Sequence, residues 1–238
     1  VPKKRQTLFF SATINEKIKK LAYSLVSNAI RIQISPKDPV SKNVQHAVAF
    51  IEMEEKRFFL ERIIHEHPDS KILIFVRTKV RAERVAKAME RANIKTLTMH
   101  SDKEHVERLQ VMEAFKTGKT KVLIATDINA RGIDIPNVDY VVNYDLPDEP
   151  ENYVHRVGRT GRGDKKGQAI TFCSTEEKPT LKIIETFLHK PVHVIDIEKE
   201  DYMETIEFAK DTMEKEDLQS LLKEAEEMDK KHKKKKKK

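Results

Sequence analysis

Cysteine occurs once in 238 residues, so no disulfide can close within the chain. The lone thiol, Cys173, falls inside the apolar run Ala169-Ile170-Thr171-Phe172-Cys173 and reads as a small core residue. Such usage suits a reducing compartment, the cytoplasm. Long hydrophobic runs are missing as well: none approaches the roughly 20 residues that a membrane helix needs, and no signal-peptide pattern opens the chain. The histidines show no metal-ligand spacing, and His65 and His67, flanking a helix end, are expected to be solvated. No phosphate-cradling loop is present either. Gly118-Lys119-Thr120 imitates the end of one, but the earlier glycine would fall at Glu113, inside a helical stripe, and a strand follows instead of a helix. It reads as a turn.

A net excess of positive charge is found in one place. The formal charge is +7, yet eight lysines lie within Lys230–Lys238, interrupted only by His232. Without them 38 Lys and Arg face 39 Asp and Glu. The basic character therefore belongs to a tail, and the body must make any nucleic-acid contact with a local patch. Like charges and no apolar residues predict a disordered tail at 230–238 that adds non-specific affinity for nucleic acid.

Short apolar runs alternate with amphipathic stretches. Runs at Thr7–Phe10, Ile30–Ile34, Val44–Met53, Lys71–Val76, Thr96–Met99, Lys121–Ala125, Tyr140–Asn143, Ala169–Cys173 and Val192–Ile195 read as strands. From Lys71 onward they are continuous rather than alternating, as in strands buried on both faces of a parallel sheet. Between them, Phe58-Phe59-Ile63, Val80-Val85-Ala86-Met89 and Val106-Leu109-Met112-Phe115 form helical stripes. The alternation predicts an α/β, doubly wound parallel sheet, with ligands outside the carboxyl ends of its strands. Residues 198–229 are acidic and helix-prone, with Leu218, Leu221, Leu222 and Ala225 as a thin stripe, and predict a helical extension that docks weakly.

Glycine is rare, and four of the six lie between Gly158 and Gly167. The backbone there must turn tightly or approach something closely. The same segment, His155-Arg156-Val157-Gly158-Arg159-Thr160-Gly161-Arg162-Gly163, carries three arginines at spacing three, beginning on a helix over Glu151–Val154. Guanidiniums along one side suit a polyphosphate. A second segment, Ala125-Thr126-Asp127-Ile128-Asn129-Ala130-Arg131-Gly132-Ile133-Asp134, follows directly on a strand and places a hydroxyl and carboxylates at a sheet edge. On the residues alone, Asp127 and Asp134 are turn or capping groups.

These two segments resemble motifs VI (HRxGRxGR) and V (ATDxxARGxD) of the DEAD-box family of superfamily-2 RNA helicases, with Asn129 where the family commonly has Ala. Val142-Asn143-Tyr144-Asp145-Leu146-Pro147 continues the likeness as motif Va, Ile74-Phe75-Val76-Arg77-Thr78 as motif IV, and Met99-His100-Ser101-Asp102 through Arg108 as motif IVa. There Ser101 and His105 depart from the family's Gly and Gln. Ser11-Ala12-Thr13, before a helix at Ile14–Val26, resembles motif III. The region through His189-Lys190-Pro191-Val192 is similar to bacterial RhlE-type members.

The resemblance covers about residues 7–197 and implies a RecA-like sheet. Residues 1–36 would close the first RecA-like domain and form a linker. Residues 37–197 would be the second, followed by the extension at 198–229. It implies ATP contacts from Asp134, Arg159 and Arg162, the two arginines acting as fingers. RNA-backbone contacts would come from Thr78, His100, Arg108, Thr126, Arg131 and Gly132, and interdomain coupling through Ser11, Thr13 and His155, with His155 also counted in the catalytic set. ATP with Mg2+ would be held mainly by a first domain whose phosphate loop and Asp-Glu-Ala-Asp motif this sequence lacks. The chain by itself is then expected to be inactive, and Val1-Pro2 reads as a fragment boundary. The partners implied are RNA and the N-terminal RecA-like domain of the same protein, with no membrane. A non-catalytic RNA-binding module that kept the fold is the alternative.

Overall fold

The computed structural model describes residues 2, 5–9, 16–26, 30, 32, 39–127, 138–161 and 166–208. The chain divides into two units, Val1–Pro39 and Val40–Lys238. In the first, α1 spans Glu16–Leu25, within the helix expected at 14–26. Residues 5–9 form no strand, contrary to the reading of Thr7–Phe10, and Leu8 and Phe9 are exposed. A strand needs a neighbour to take up its backbone donors and acceptors, and no strand is described within Val1–Pro39. Ile30 and Ile32 are likewise exposed and outside any strand.

The second unit is built on one seven-stranded sheet. Its strands are β1 (Val44–Phe50), β2 (Ile72–Phe75), β3 (Thr96–Met99), β4 (Val122–Ala125), β5 (Tyr140–Asn143), β6 (Gly167–Cys173) and β7 (His193–Ile195). Every pairing is parallel, in the order β3-β4-β2-β5-β6-β1-β7. Strands β2 and β4 are buried at every position, which explains their unbroken apolar sequences. Alternate side chains serve opposite faces: Leu73 and Phe75 join one core, Ile72 and Ile74 the other.

One face is covered by α4 (His105–Lys116), α5 (Pro150–Val157) and α6 (Lys178–Leu188), which contribute Met112, Phe115, Tyr153, Val157, Leu181 and Ile184. The other is covered by α2 (Lys56–Glu66) and α3 (Lys79–Arg91), with Phe59, Leu60, Ala82, Val85 and Met89. A last helix, α7 at 199–208, packs on α2: Tyr202 meets the Phe59 ring at 4.8 Å, and Arg62 Nη1 donates to Thr205 Oγ1 at 2.6 Å.

The expected stripe on α4 holds only in its second half. Met112 and Phe115 are buried, whereas Val106 and Leu109 are 61% and 56% exposed. The first turns of α4 lie close to the end of the sheet, where there is less core to cover. His67 also departs from expectation: its ring stacks on Tyr140 at 4.2 Å, so it is only half exposed. Gly118 does form a turn, with φ of 76°, directly before β4.

Register aligns the ends of four strands. Ala125 pairs with both Phe75 and Met99, and Phe75 with Asn143. The residues that follow these positions therefore form a row along the carboxyl edge. After β3 the chain turns back through β4 and across β2 to β5, so the connections leaving the neighbours β2 and β5 run in opposite directions, and a crevice for ligands opens at such a switch.

Candidate functional site

The row at the carboxyl edge holds three of the expected site residues. Thr78, just past β2, caps α3 by accepting from the Arg81 backbone at 3.1 Å. His100 follows β3 directly and Thr126 follows β4, and the Thr126 amide donates to Met99 O at 3.2 Å. Both are 7% exposed. His100 Nε2 donates to Glu83 Oε1 at 2.7 Å, and the same oxygen accepts from Thr98 Oγ1 at 2.7 Å. Burial pushes the Glu83 carboxyl up, but hydrogen bonds from His100 and Thr98 outweigh it and hold it below its ordinary value. Lys79 and Asp102 close the edge with an ion pair at 2.7 Å. Arg108, on α4, is half buried.

Behind this row stands a cation that the sequence reading misassigned. Arg156 is 1% exposed and does not stand with Arg159 along one accessible side. Its Nε and Nη2 grip Asp127 Oδ1 and Oδ2 at 2.7 and 2.8 Å. Its Nη1 donates to Asp145 O at 2.6 Å and reaches Asn143 Oδ1 at 3.5 Å, and its plane lies 5.2 Å from the Phe75 ring centre. Asp145 in turn accepts from the Arg77 amide at 3.0 Å and pairs with Arg81 at 3.2 Å. One guanidinium thus ties α5 to the ends of β4 and β5 while resting on β2. Asp127 is an ion-pair partner of Arg156.

The glycine cluster explains how α5 is seated. Gly158 ends the helix. Thr160 Oγ1 then donates to Val138 O at 2.6 Å, just before β5, so the chain has come round to the amino edge of the sheet. Gly161 has φ of 65°, and a Cβ there would stand 2.7 Å from Val44 Cγ2 and 2.8 Å from Asn43 O. A Cβ on Gly167 would stand 2.2 Å from the Gly161 amide. Close backbone approach is therefore what these glycines permit. Arg159 follows the helix end, with its amide donating to Arg156 O at 3.0 Å and its Nε to His155 O at 3.2 Å. The row of Thr78, His100 and Thr126 and the bend carrying Arg159 accordingly stand at opposite edges of the sheet, with α5 between them.

Ser11, Thr13, Arg131, Gly132, Asp134 and Arg162 lie outside the described residues. Among the described residues no group of three His, Cys, Asp or Glu is placed to hold a metal ion, and no helix is long and apolar enough to cross a membrane.

Residues 55–164 match the family model described as the helicase conserved C-terminal domain. The chain is 35% identical over 204 residues to the ATP-dependent RNA helicase RhlB of Shewanella frigidimarina, covering 86% of this chain and 47% of that protein. It therefore spans about half the length of that relative. Among solved structures it is similar to S. cerevisiae Dbp5 bound to RNA and ADP BeF3, with a TM-score of 0.75, 29% identity, and coverage of 90% of this chain and 56% of the other. It is also similar to the C-terminal domain of the DEAD-box protein Dbp5, with a TM-score of 0.61, 30% identity, and coverage of 71% and 98%.

Proposed function

From the premise that this chain belongs to the DEAD-box RNA helicase family, as its RecA-like C-terminal domain, we propose that it forms the second half of an ATP-dependent RNA helicase. Residues 1–36 would end the first RecA-like domain and the linker, and 37–197 would form the second. The observation that carries the reading is the row of Thr78, His100 and Thr126 on three adjoining strand ends, with Arg159 held just past α5. Hydroxyls, an imidazole and backbone groups at such an edge suit sugar and phosphate rather than bases, so recognition is largely sequence-independent. Arg108, Arg131 and Gly132 would extend that contact.

On the ATP side, Asp134, Arg159 and Arg162 would face the nucleotide, which the first domain, with Mg2+, would otherwise hold. Planar, permanently charged forks suit the charge that develops on the transferred phosphoryl group. His155 would couple this side to Ser11 and Thr13. Unwinding of short RNA duplexes in the cytoplasm follows as the activity of the whole protein, not of this chain alone.

The test compares Arg159→Ala with Arg108→Ala in the full-length parent, with turnover and RNA affinity measured separately. Arg159→Ala should lower kcat by about 10³-fold or more, as loss of an arginine finger does in other nucleotide hydrolases, with little change in the KM for ATP. Arg108→Ala should weaken RNA binding instead. Near-wild-type turnover in Arg159→Ala would remove the finger role and leave an RNA-binding module.

A further inference from the structure

Three groups outside the proposed contacts carry unusual chemistry: the cleft between β1, β6 and Tyr202, the buried Lys56–Glu177 pair, and the Asp127–Arg156 pair. In the cleft, Glu52 is already satisfied by Thr175, and Glu55 by Tyr202. Lys56 and Glu177 pair with each other, and their remaining bonds go mostly to nearby backbone, so they satisfy one another within the fold. The third group connects two sites, and all three nitrogens of its guanidinium are hydrogen-bonded.

We propose that Asp127 and Arg156 form a positioning couple that transmits RNA occupancy of the carboxyl edge to Arg159 at the far end of α5. The inference rests on the function proposed above. Thr126, on the RNA side, is joined by a single peptide bond to Asp127. Asp127 is held through both oxygens by one guanidinium, a geometry that resists rotation as well as separation. That guanidinium also fixes Asp145 O, so the end of β5 cannot move without it. On the other side, the carbonyl of Arg156 accepts from the Arg159 amide, and Gly161 is wedged against Asn43 and Val44. A displacement of Thr126 therefore reaches Arg159 through one bidentate pair and one turn of backbone. Arg156 is unavailable as a nucleotide contact, because turning outward would break its grip on Asp127, which is 25% exposed, and leave the carbonyl of buried Asp145 without it.

The pair is an unusual choice for stability alone. A buried pair replaced by apolar side chains is often no less stable, whereas a fork that fixes two segments in one orientation supplies geometry that packing does not.

Asp127→Asn in the full-length parent is the informative variant, since it keeps shape and one acceptor while removing the charge and the symmetric grip. RNA-stimulated kcat should fall by about tenfold or more, while basal turnover, direct RNA affinity and the KM for ATP stay within about threefold. Arg156→Lys should show the same split, and the two changes together should cost little more than either, as expected for groups acting as one unit. Asp127→Glu, which restores the charge, keeps the test open if Asp127→Asn folds poorly: it should recover part of the stimulation. Loss of stability with unchanged stimulation would make the pair structural only. A raised KM for ATP would return Arg156 to the nucleotide. Equal losses of basal and stimulated turnover would also overturn the proposal. If the wild-type parent shows no RNA stimulation at all, it is the proposed function that fails.

Discussion

Among the described residues of this domain Lys56 and Arg156 are both buried, and they are built differently. Lys56, at the start of α2, has no exposed surface; its Nζ donates to Tyr144 O at 2.8 Å and Phe172 O at 3.3 Å and pairs with Glu177. Arg156 is as deeply placed but spends two prongs on one carboxylate and the third on another strand end. A lysine is a point charge that three acceptors can surround, so it clamps whatever converges on it. An arginine is a planar fork that fixes direction. The lysine hub accordingly binds the ends of β5 and β6 to the short 3-10 turn at Thr175–Glu177, with Glu177 also 3.6 Å from Arg77 beside the candidate row. The arginine hub sits directly behind that row. Burial of charge here marks two tasks: closing the fold and aiming the site.

The largest effect should come from the lysine hub. Lys56→Met would leave Glu177 charged and buried, and unfolding in urea should report a loss of about 3–5 kcal/mol, with turnover per folded parent molecule unchanged. Adding Glu177→Gln should recover only part, because Glu177 also accepts from the Ser174 and Leu146 amides at 3.0 and 3.3 Å. If Lys56→Met instead altered RNA-stimulated turnover of molecules that remain folded, the division between the two hubs would be wrong.

A smaller effect separates two glycines that share a positive φ. Gly161→Ala meets Asn43 O and Val44 and should cost about 1–3 kcal/mol, lowering turnover as well through Arg159. Gly118→Ala, whose nearest neighbour would be Lys71 Cε at 3.8 Å, should cost only about 1 kcal/mol. Equal losses in the two variants would mean that backbone strain, not the seating of α5, sets the requirement at Gly161.

The smallest effect belongs to a third, half-exposed pair, His100 and Glu83. Glu83 has a depressed folded-state value, so its contribution is present above the ordinary carboxylate range and is lost as pH falls through the depressed one. Glu83→Gln should cost within about 1 kcal/mol at neutral pH, and the gap to wild type should close on acidification. A gap that persisted in acid would show that Glu83 acts through shape rather than charge.

Much of this was legible in the sequence. Continuous apolar runs marked the buried strands, Gly158 marked the end of α5, and the glycine cluster announced a close approach that Gly161 and Gly167 make. Cys173 is buried, and burial first among its surroundings pushes its thiol up to about 11. What spacing could not reveal was which way Arg156 points. Three arginines three apart look alike along a line, but the helix stops at Val157 and the chain turns, so Arg156 faces the sheet while Arg159 does not. Its partner Asp127 lies 29 residues earlier, beyond the reach of any local pattern. Val106 and Leu109 misled for a related reason: periodicity identifies a face but not where the core beneath it ends.

The seat of β1 has a consequence for how the chain is made. It is the first strand of the sheet to be synthesised, yet it pairs only with β6 and β7, and Val44 finds its partner at Gly167. At about 5–20 residues per second, a ribosome needs several seconds or more to reach that partner. Throughout that interval β2, β3, β4 and β5 can already assemble as neighbours, while the oldest strand waits, apolar and unpaired, for the youngest ones.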